Sequence, residues 1–155
     1  MFNKYGAEHL NSETLQKYLN ERIPISKAME IKVLEAGPKQ VIISAPLMPN
    51  VNHINTVFGG SASAVSMLSA WSLLYIRLAN EDIKSNIVIN KTHVTFERPI
   101  MDTFTSVTMF DDDTAWGKFV LKLKSEKKAG LNLHSTLMCN GSEVGKLEGY
   151  FVSYF

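Results

Sequence analysis

A long apolar segment without charge constrains the fold of this 155-residue chain more than any other feature. Ser61–Ala79 contains no charged side chain before Arg77. A helix that is apolar on all sides is buried either in a protein core or in a bilayer. A spanning helix needs about 20 predominantly apolar residues, whereas this segment contains five serines and is followed by strand-like sequence. We therefore predict a buried central helix and no membrane insertion.

The sequence before this segment predicts a short helix. Ser12 can cap a helix in which Leu15 and Leu19 fall on one face, and Pro24 ends or kinks it. We accordingly predict an N-terminal helical segment within residues 1–24. Its first eleven residues lack the apolar core of a secretory signal.

Runs of strand-like sequence on both sides of the central segment predict an antiparallel sheet. Lys118–Lys124 alternates, with Phe119, Leu121 and Leu123 on one side, and Asn140-Gly141 is a tight-turn signal. A sheet of five to six strands can wrap one apolar helix, which makes the chain an α+β protein. The runs typical of strands are Ile31–Leu34, Gln40–Ala45, Ile83–Glu97, Phe104–Phe110, Lys118–Lys124, Leu131–Cys139 and Val144–Phe155.

Composition excludes several classes of function. Hydrophobic residues make up 45% and charged residues 20% of the chain, and the formal net charge is +1. The chain therefore offers no basic field for nucleic acid. Cys139 is the only cysteine, which excludes an internal disulfide framework and favours a reducing compartment, the cytoplasm. At this length we predict a single domain over residues 1–155.

The loop before the central segment carries most of the functional signal. Asn52-His53-Ile54-Asn55-Thr56-Val57-Phe58-Gly59-Gly60 is a polar loop that ends in a glycine pair. Glycines allow the backbone to approach a ligand closely. A helix that begins there directs unpaired N–H groups at whatever binds, so we predict a ligand site at this corner.

This order of elements resembles the hotdog fold, in which a curved antiparallel sheet wraps a central helix. Many hotdog thioesterases have an asparagine, a glycine-containing turn and then His-Gly-Gly or Phe-Gly-Gly just before that helix. Asn52 and Phe58-Gly59-Gly60 stand at these positions. Thr56–Ser61 and Trp71 are similar to the thioesterase-like domain at the C-terminus of some bacterial acetyltransferases. The resemblance covers the chain from about Ile25 onward.

The resemblance implies a homodimer or a dimer of dimers, with active sites at the subunit interface. It implies acyl thioesters of coenzyme A or of acyl carrier protein as substrates, and hence a role in fatty acid metabolism. We predict no cofactor and no metal ion.

Hydrolysis of a thioester requires a polarised carbonyl, an activated water and an apolar slot for the acyl chain. Backbone N–H groups at Gly59 and Gly60 can polarise the carbonyl, and apolar residues of the central helix can line the slot. The residues predicted to be catalytic are Asn52, Thr56, Gly60, Ser63 and Ser66, and those predicted to bind substrate are His53, Phe58, Gly59, Val65 and Met67.

The acid that activates water is missing from its usual positions. Family members place an aspartate or glutamate early in the helix or two residues before Phe-Gly-Gly, where this chain has Ser63, Ser66, Met67 and Thr56. General-base catalysis contributes roughly 10²–10⁴ in rate. Two hypotheses follow: a thioesterase whose water is held by hydrogen bonds or activated by a carboxylate of a second subunit, and a non-catalytic acyl-thioester binding domain.

Structural alternatives stay open for several of these residues. Asn52 can make a local turn bond, the glycine pair can serve tight packing, and the two helix serines can allow close packing. His53 is interpreted as a surface residue if it does not contact substrate. Asp111-Asp112-Asp113 is interpreted as a solvated hairpin turn instead of a metal site, and Cys139 as a core residue.

Overall fold

The computed structural model describes residues 10–155. These residues form one six-stranded antiparallel sheet and four helices, which confirms the predicted α+β hotdog architecture. The part of the predicted N-terminal segment before Leu10 lies outside the described residues. In chain order the elements are α1 (Ser12–Arg22), α2 (Pro24–Ala28), β1 (Lys32–Ala36), β2 (Gln40–Ala45), α3 (Gly59–Asn80), β3 (Asn86–Phe96), β4 (Phe104–Met109), α4 (Asp113–Glu126), β5 (Lys128–Cys139) and β6 (Ser142–Tyr154).

The sheet has the strand order β1-β2-β4-β5-β6-β3, and every neighbouring pair is antiparallel. A tight turn at Asn140-Gly141 joins β5 to β6, and φ is positive at both residues (50° and 75°), as a type I′ hairpin turn requires. This turn was predicted. Cys139 is a free, buried thiol, also as predicted. β1 and β3 form the two edges of the sheet.

The predicted central helix is α3, which packs on the inner face of the sheet against β2, β4, β5 and β6. Its length and apolar composition match a membrane span, but most of the helix is buried inside the protein. It therefore forms part of the core of the fold. Leu73 and Leu74 are fully buried, and burying such a side chain contributes about 1.5–3 kcal/mol.

The cap of α1 is Asn11, so the prediction that Ser12 caps the helix is wrong. Asn11 Oδ1 accepts the N–H of Thr14 at 3.0 Å, and Thr14 Oγ1 accepts the N–H of Asn11 at 3.0 Å. This reciprocal pair is a capping box, which satisfies two backbone donors at once. Ser12 lies one residue too late to form it with Thr14. The predicted buried face is confirmed and consists of Leu15 and Leu19.

Residues 118–124 are helical, so the strand predicted there is wrong. The alternation of Phe119 with Leu123 fits a period of two only over a short window. Leu121, which should share their face in a strand, is 71% exposed. Over a longer window the buried positions follow the i, i+3, i+4, i+7 spacing of a helix. They are Trp116, Phe119, Val120 and Leu123.

The three consecutive aspartates begin α4 and do not form a hairpin turn. Asp112 Oδ1 accepts a backbone N–H of the first helical turn at 2.8 Å, and acidic residues at a helix start are favoured by the helix dipole. Asp113 pairs with Arg77 of α3 at 3.3 Å. The Arg77 guanidinium lies 4.5 Å from the ring centroid of Trp116, so α4 covers the C-terminal end of α3.

Candidate active site

The loop between β2 and α3 is held in place by buried hydrogen bonds. Asn50 is 1% exposed, and its side-chain amide donates to two backbone carbonyls, that of Met29 at 2.9 Å among them. The N–H of Phe58 donates to the Asn50 carbonyl at 2.7 Å, and the N–H of Val57 donates to the Ile100 carbonyl at 2.8 Å. These bonds place the end of the loop beside the segment that follows β3.

Asn52 closes the loop on itself. Its Oδ1 accepts the N–H groups of Ile54 at 3.0 Å and Thr56 at 3.1 Å, and its Nδ2 donates to Thr56 Oγ1 at 2.8 Å. Asn55 adopts the left-handed conformation, with φ of 63°. Asn52 thus makes the local turn bonds considered above and fixes the Thr56 hydroxyl, while His53 is exposed at the tip of the loop.

The start of α3 presents unpaired backbone donors. Within residues 10–155, the N–H groups of Gly59, Gly60 and Ser61 have no hydrogen-bond acceptor, and the N-cap residue Phe58 provides no side-chain cap. These groups form the positive end of the helix dipole. A Cβ at Gly60 would lie 2.3 Å from the Phe58 ring, so glycine is needed for the ring to lie there.

A pocket of about 340 Å³, here called the loop pocket, opens beside Gly59. The loop of residues 52–60, here called the motif loop, forms one wall, and the end of β3 with the residues after it forms the other. Thr56 contributes to the first wall, and Glu97 and Arg98 contribute to the second. Glu97 is exposed and is the one acidic residue of this lining.

Glu97 was not predicted from the sequence, because the acid was expected only in the motif loop or in α3. Glu97 follows the last residue of β3 and precedes Arg98-Pro99. Its signal in the sequence is weak: Pro99 marks the end of a strand, and residues that follow strands often carry function. Only the folded chain shows that this strand end faces the motif loop.

The two predicted helix serines turn their hydroxyls onto α3 itself. Ser63 Oγ donates to the Gly59 carbonyl at 2.8 Å, and Ser66 Oγ donates to the Ala62 carbonyl at 2.9 Å. Ser66 is fully buried, whereas Ser63 is partly exposed. The structure therefore brings Thr56 and the glycine pair together and places Ser66 in the core.

Four further hydroxyls meet between α3 and the sheet, here called the buried hydroxyl cluster. Ser69 Oγ lies 2.6 Å from Ser106 Oγ and 2.8 Å from Thr108 Oγ1. Ser135 Oγ lies 2.8 Å from Thr108 Oγ1 and donates to the Ser66 carbonyl at 2.9 Å. All four residues are at most 1% exposed, so each buried hydroxyl has its partners inside the protein.

One face of α3 remains partly exposed and is here called the open stripe. It consists of Ala64, Met67, Trp71 and Tyr75. Its positions are three or four residues apart, so they share one side of the helix. An apolar pocket of about 190 Å³ lies along it. Met67 lines this pocket, whereas Val65 is fully buried in the core.

Aromatic rings close the far end of the open stripe. Trp71 and Tyr75 stack at 5.0 Å between ring centroids, and Tyr18 of α1 stacks on Tyr75 at 5.0 Å. Burial raises the pKa of Tyr75 to about 12, and the neighbouring Tyr18 adds to the shift. Trp71 Nε1 donates to the Ile87 carbonyl at 3.3 Å, which fixes the indole ring in place.

Comparison with protein families identifies the chain. A family model described as "Putative thioesterase (yiiD_Cterm)" matches residues 12–155. The chain belongs to this thioesterase family. The match includes the motif loop, both pockets and the whole sheet, so the features described above lie within the thioesterase-family domain.

Solved structures share the fold of this thioesterase-family domain. A protein of unknown function from Chlorobaculum tepidum has a TM-score of 0.88 and 21% identity over 92% of this chain and 93% of its own. A "putative thioesterase" from Shewanella oneidensis has a TM-score of 0.83 and 24% identity over 93% and 97%. A "probable thioesterase" from Pseudomonas aeruginosa has a TM-score of 0.82 and 16% identity over 94% and 96%. At these identities the likeness establishes the fold.

The groups around the start of α3 determine which chemistry is available there. The backbone donors can stabilise a negative oxygen, Glu97 can accept a proton, and the open stripe can hold an apolar group. Within the described part of the thioesterase-family domain, no group of three His, Cys, Asp or Glu residues can hold a metal ion.

Proposed function

We propose that this protein hydrolyses acyl thioesters at the start of α3. The observation that carries the proposal is the junction of unpaired N–H groups at Gly59 and Gly60 with an apolar stripe on the same helix. A thioester needs both, because its carbonyl oxygen becomes negative in the transition state while its acyl chain is apolar. The thioesterase family and fold support the same reaction class.

In the proposed reaction, the N–H groups of Gly59 and Gly60 bind the carbonyl oxygen. A water held near Thr56 attacks the carbonyl carbon and gives its proton to the Glu97 carboxylate. The tetrahedral intermediate then breaks its carbon–sulfur bond and expels the thiolate, which takes up the proton from Glu97. The products are a carboxylic acid and a free thiol, and Glu97 is again a carboxylate. Asn52 acts as a positioning residue, because its amide orients the Thr56 hydroxyl.

We further propose that the active unit is a cytoplasmic homodimer formed along β3, or a dimer of such dimers. β3 is an edge strand of 11 residues, and a long open edge is a template for pairing with another chain. Val88 is 44% exposed and Phe96 is 46% exposed on this strand. Phe96 also lines the loop pocket together with Gly59, so a partner on β3 would place the site at the subunit interface.

The substrates proposed are acyl groups carried on coenzyme A or on acyl carrier protein, within fatty acid metabolism. The test is release of free thiol from a panel of both carriers by purified protein. We expect turnover of at least one carrier class. No release above background for any member of the panel contradicts the hydrolase proposal.

Glu97→Gln tests the proposed base. General-base catalysis contributes about 10²–10⁴ in rate, so we expect kcat to fall by at least about 10² with little change in KM. Glu148→Gln is the matched control, because Glu148 is an exposed carboxylate in the middle of β6. Equal kcat values for wild type and Glu97→Gln would show that another group activates the water.

A second candidate function is acyl-thioester binding without hydrolysis. It is favoured by the absence of acidic residues from the motif loop and from α3 and by the hydroxyls of Ser63 and Ser66, which bond to helix carbonyls. This function predicts that calorimetry detects acyl-coenzyme A binding while the ligand is recovered intact.

A further inference from the structure

The open stripe begins about one helical turn beyond the proposed carbonyl site. α3 rises 1.5 Å per residue, so Ala64 lies about 6 Å and Trp71 about 16 Å beyond Gly60 along the helix axis. Gly60, Ala64, Met67 and Trp71 are three or four residues apart, which keeps them on one face. The Phe58 ring lies over Gly60, so an acyl chain whose carbonyl binds at Gly60 passes this ring and then follows one face of α3 from Ala64 to Trp71.

The walls of this path accept only an apolar occupant. The 190 Å³ pocket is lined entirely by apolar side chains from α2 and its approach, α3, β3 and β6. No charged side chain contributes to the lining, so the phosphates of coenzyme A find no partner there. Ile25 and Ile89 line this pocket together with Met67 and Trp71 of α3, and the pocket is here called the slot.

Trp71 is a fixed end to the slot. Its indole N–H donates to the Ile87 carbonyl at 3.3 Å. One face of the ring stacks on Tyr75 at 5.0 Å with an interplanar angle of 14°, and Tyr18 lies 6.1 Å away at 11°. A ring that is held by a hydrogen bond and two aromatic neighbours does not rotate aside at low cost.

We infer that this protein selects medium-chain acyl groups and that Trp71 sets the upper length limit, an inference that rests on the proposed thioester site. A contact distance of about 4 Å to the indole leaves about 12 Å of slot beyond Gly60. An extended chain advances about 1.2 Å per backbone bond, so the slot takes about ten bonds. Ten bonds join about eleven carbons at full extension, so the selected acyl chains lie just below this limit, at about eight to ten carbons.

The experiment measures binding and turnover separately across coenzyme A thioesters of two to sixteen carbons. Calorimetry gives Kd for each, and thiol release gives kcat/KM. We expect the tightest binding and the highest kcat/KM at about eight to ten carbons. A tenfold or larger loss should follow by sixteen carbons.

Two variants move the limit in opposite directions. Ala64→Leu fills the slot near its mouth and should shift the preferred length to four carbons or fewer. Trp71→Ala opens the far end and should raise the ratio of sixteen-carbon to eight-carbon kcat/KM by tenfold or more. Leu121→Ala is the control, because Leu121 is 71% exposed on α4 and should leave the profile unchanged.

The outcomes separate this inference from the proposed hydrolysis. Length-dependent binding without thiol release supports the slot and contradicts hydrolysis, whereas turnover with a flat length profile contradicts the slot alone. An Ala64→Leu protein that loses its dimer and keeps the wild-type profile would identify the stripe as a subunit contact and overturn the inference. Ala64→Leu also covers the case in which Trp71→Ala does not fold, since Ala64 is partly exposed.

Discussion

Two polar regions of α3 lie less than three helical turns apart, and they differ in whether the protein satisfies their hydrogen-bonding groups. In the buried hydroxyl cluster, Ser69 meets Ser106 and Thr108 at 2.6 and 2.8 Å with no contact to solvent. At the start of the helix, Gly59 and Gly60 have N–H groups without an acceptor in the described residues. In the first region, here called the closed region, the protein supplies the hydrogen-bond partners. In the second, here called the open region, the donors remain available to a ligand.

This difference distinguishes a structural polar group from one available for a ligand. A buried hydroxyl without a partner costs about 1–3 kcal/mol. The sheet supplies partners for the hydroxyl of Ser69, whereas the buried hydroxyl of Ser72 has none within the described residues. The same cost does not apply at the helix start, where water reaches the N–H groups. In the proposed reaction, an incoming carbonyl replaces that water, and its developing negative charge strengthens the bonds.

The largest expected effect comes from breaking the closed region. Ser69→Val removes the hydroxyl that joins α3 to β4, and it leaves Ser106 and Thr108 with fewer partners in the core. Because unsatisfied buried hydroxyls cost about 1–3 kcal/mol each, we expect the free energy of unfolding to fall by about 3 kcal/mol. Urea denaturation measures this loss.

Ser125→Val is the matched control for that stability measurement. Ser125 also donates to a helix carbonyl, that of Lys122 at 3.2 Å, but it is exposed on α4. Exposed substitutions usually change stability by less than about 0.5 kcal/mol. Equal destabilisation by the two variants would mean that the closed region contributes nothing specific.

The open region is tested by deleting one donor without disturbing the helix. Gly59→Pro removes the first N–H of α3. Proline is favoured at this first position, and Phe58 already has the extended conformation (φ −61°, ψ 129°) that a residue before proline requires. We expect stability to be unchanged and kcat to fall by about 10²-fold, as for loss of one oxyanion donor.

Gly59→Ala is the control, because it adds a side chain and keeps the N–H. A Cβ at this position would lie 3.5 Å from the Phe96 ring, an ordinary contact. We expect kcat of Gly59→Ala to stay close to wild type. If both variants lose activity equally, the loss comes from space at Gly59, and the donor role is wrong.

The sequence predicted the parts of the fold that depend on one continuous segment. α3 was predicted because residues 61–76 contain no charge, and the β5–β6 turn because Asn140-Gly141 suits positive φ. α4 was missed because a run of seven residues that alternates also fits part of a helical face. Trp116, outside that run, shows the helical spacing once the buried set is known.

The candidate site likewise has one part that was predicted from the sequence and one part that was not. The motif loop and the glycine pair are contiguous, so the sequence predicted that they act together at a helix start. Glu97 and Asn50 reach the site only through the pairing of β3 with β6 and through bonds to distant carbonyls. Tertiary pairing of this kind leaves no periodic signal in one sequence.

The smallest expected effect concerns Tyr75, whose side chain is partly exposed while its hydroxyl oxygen is buried. Its pKa is raised to about 12 by burial, so the folded state holds the phenol proton more tightly than the unfolded state does. The contribution to stability is present below pH 10 and is lost as the pH rises towards 12. A shift of two units corresponds to about 2.7 kcal/mol, which solvent screening of this half-buried group reduces to about 1 kcal/mol.

Tyr75→Phe removes this titration while keeping the ring stack with Trp71. Between pH 9 and pH 12 the wild-type protein should therefore lose about 1 kcal/mol more free energy of unfolding than the variant does. Urea denaturation of both proteins across this range measures the difference, and titrating groups that do not interact with Tyr75 cancel. A constant difference across the range would show that the phenol is as free to ionise in the folded state as in the unfolded chain, and would place the far end of the stripe among the open regions of α3.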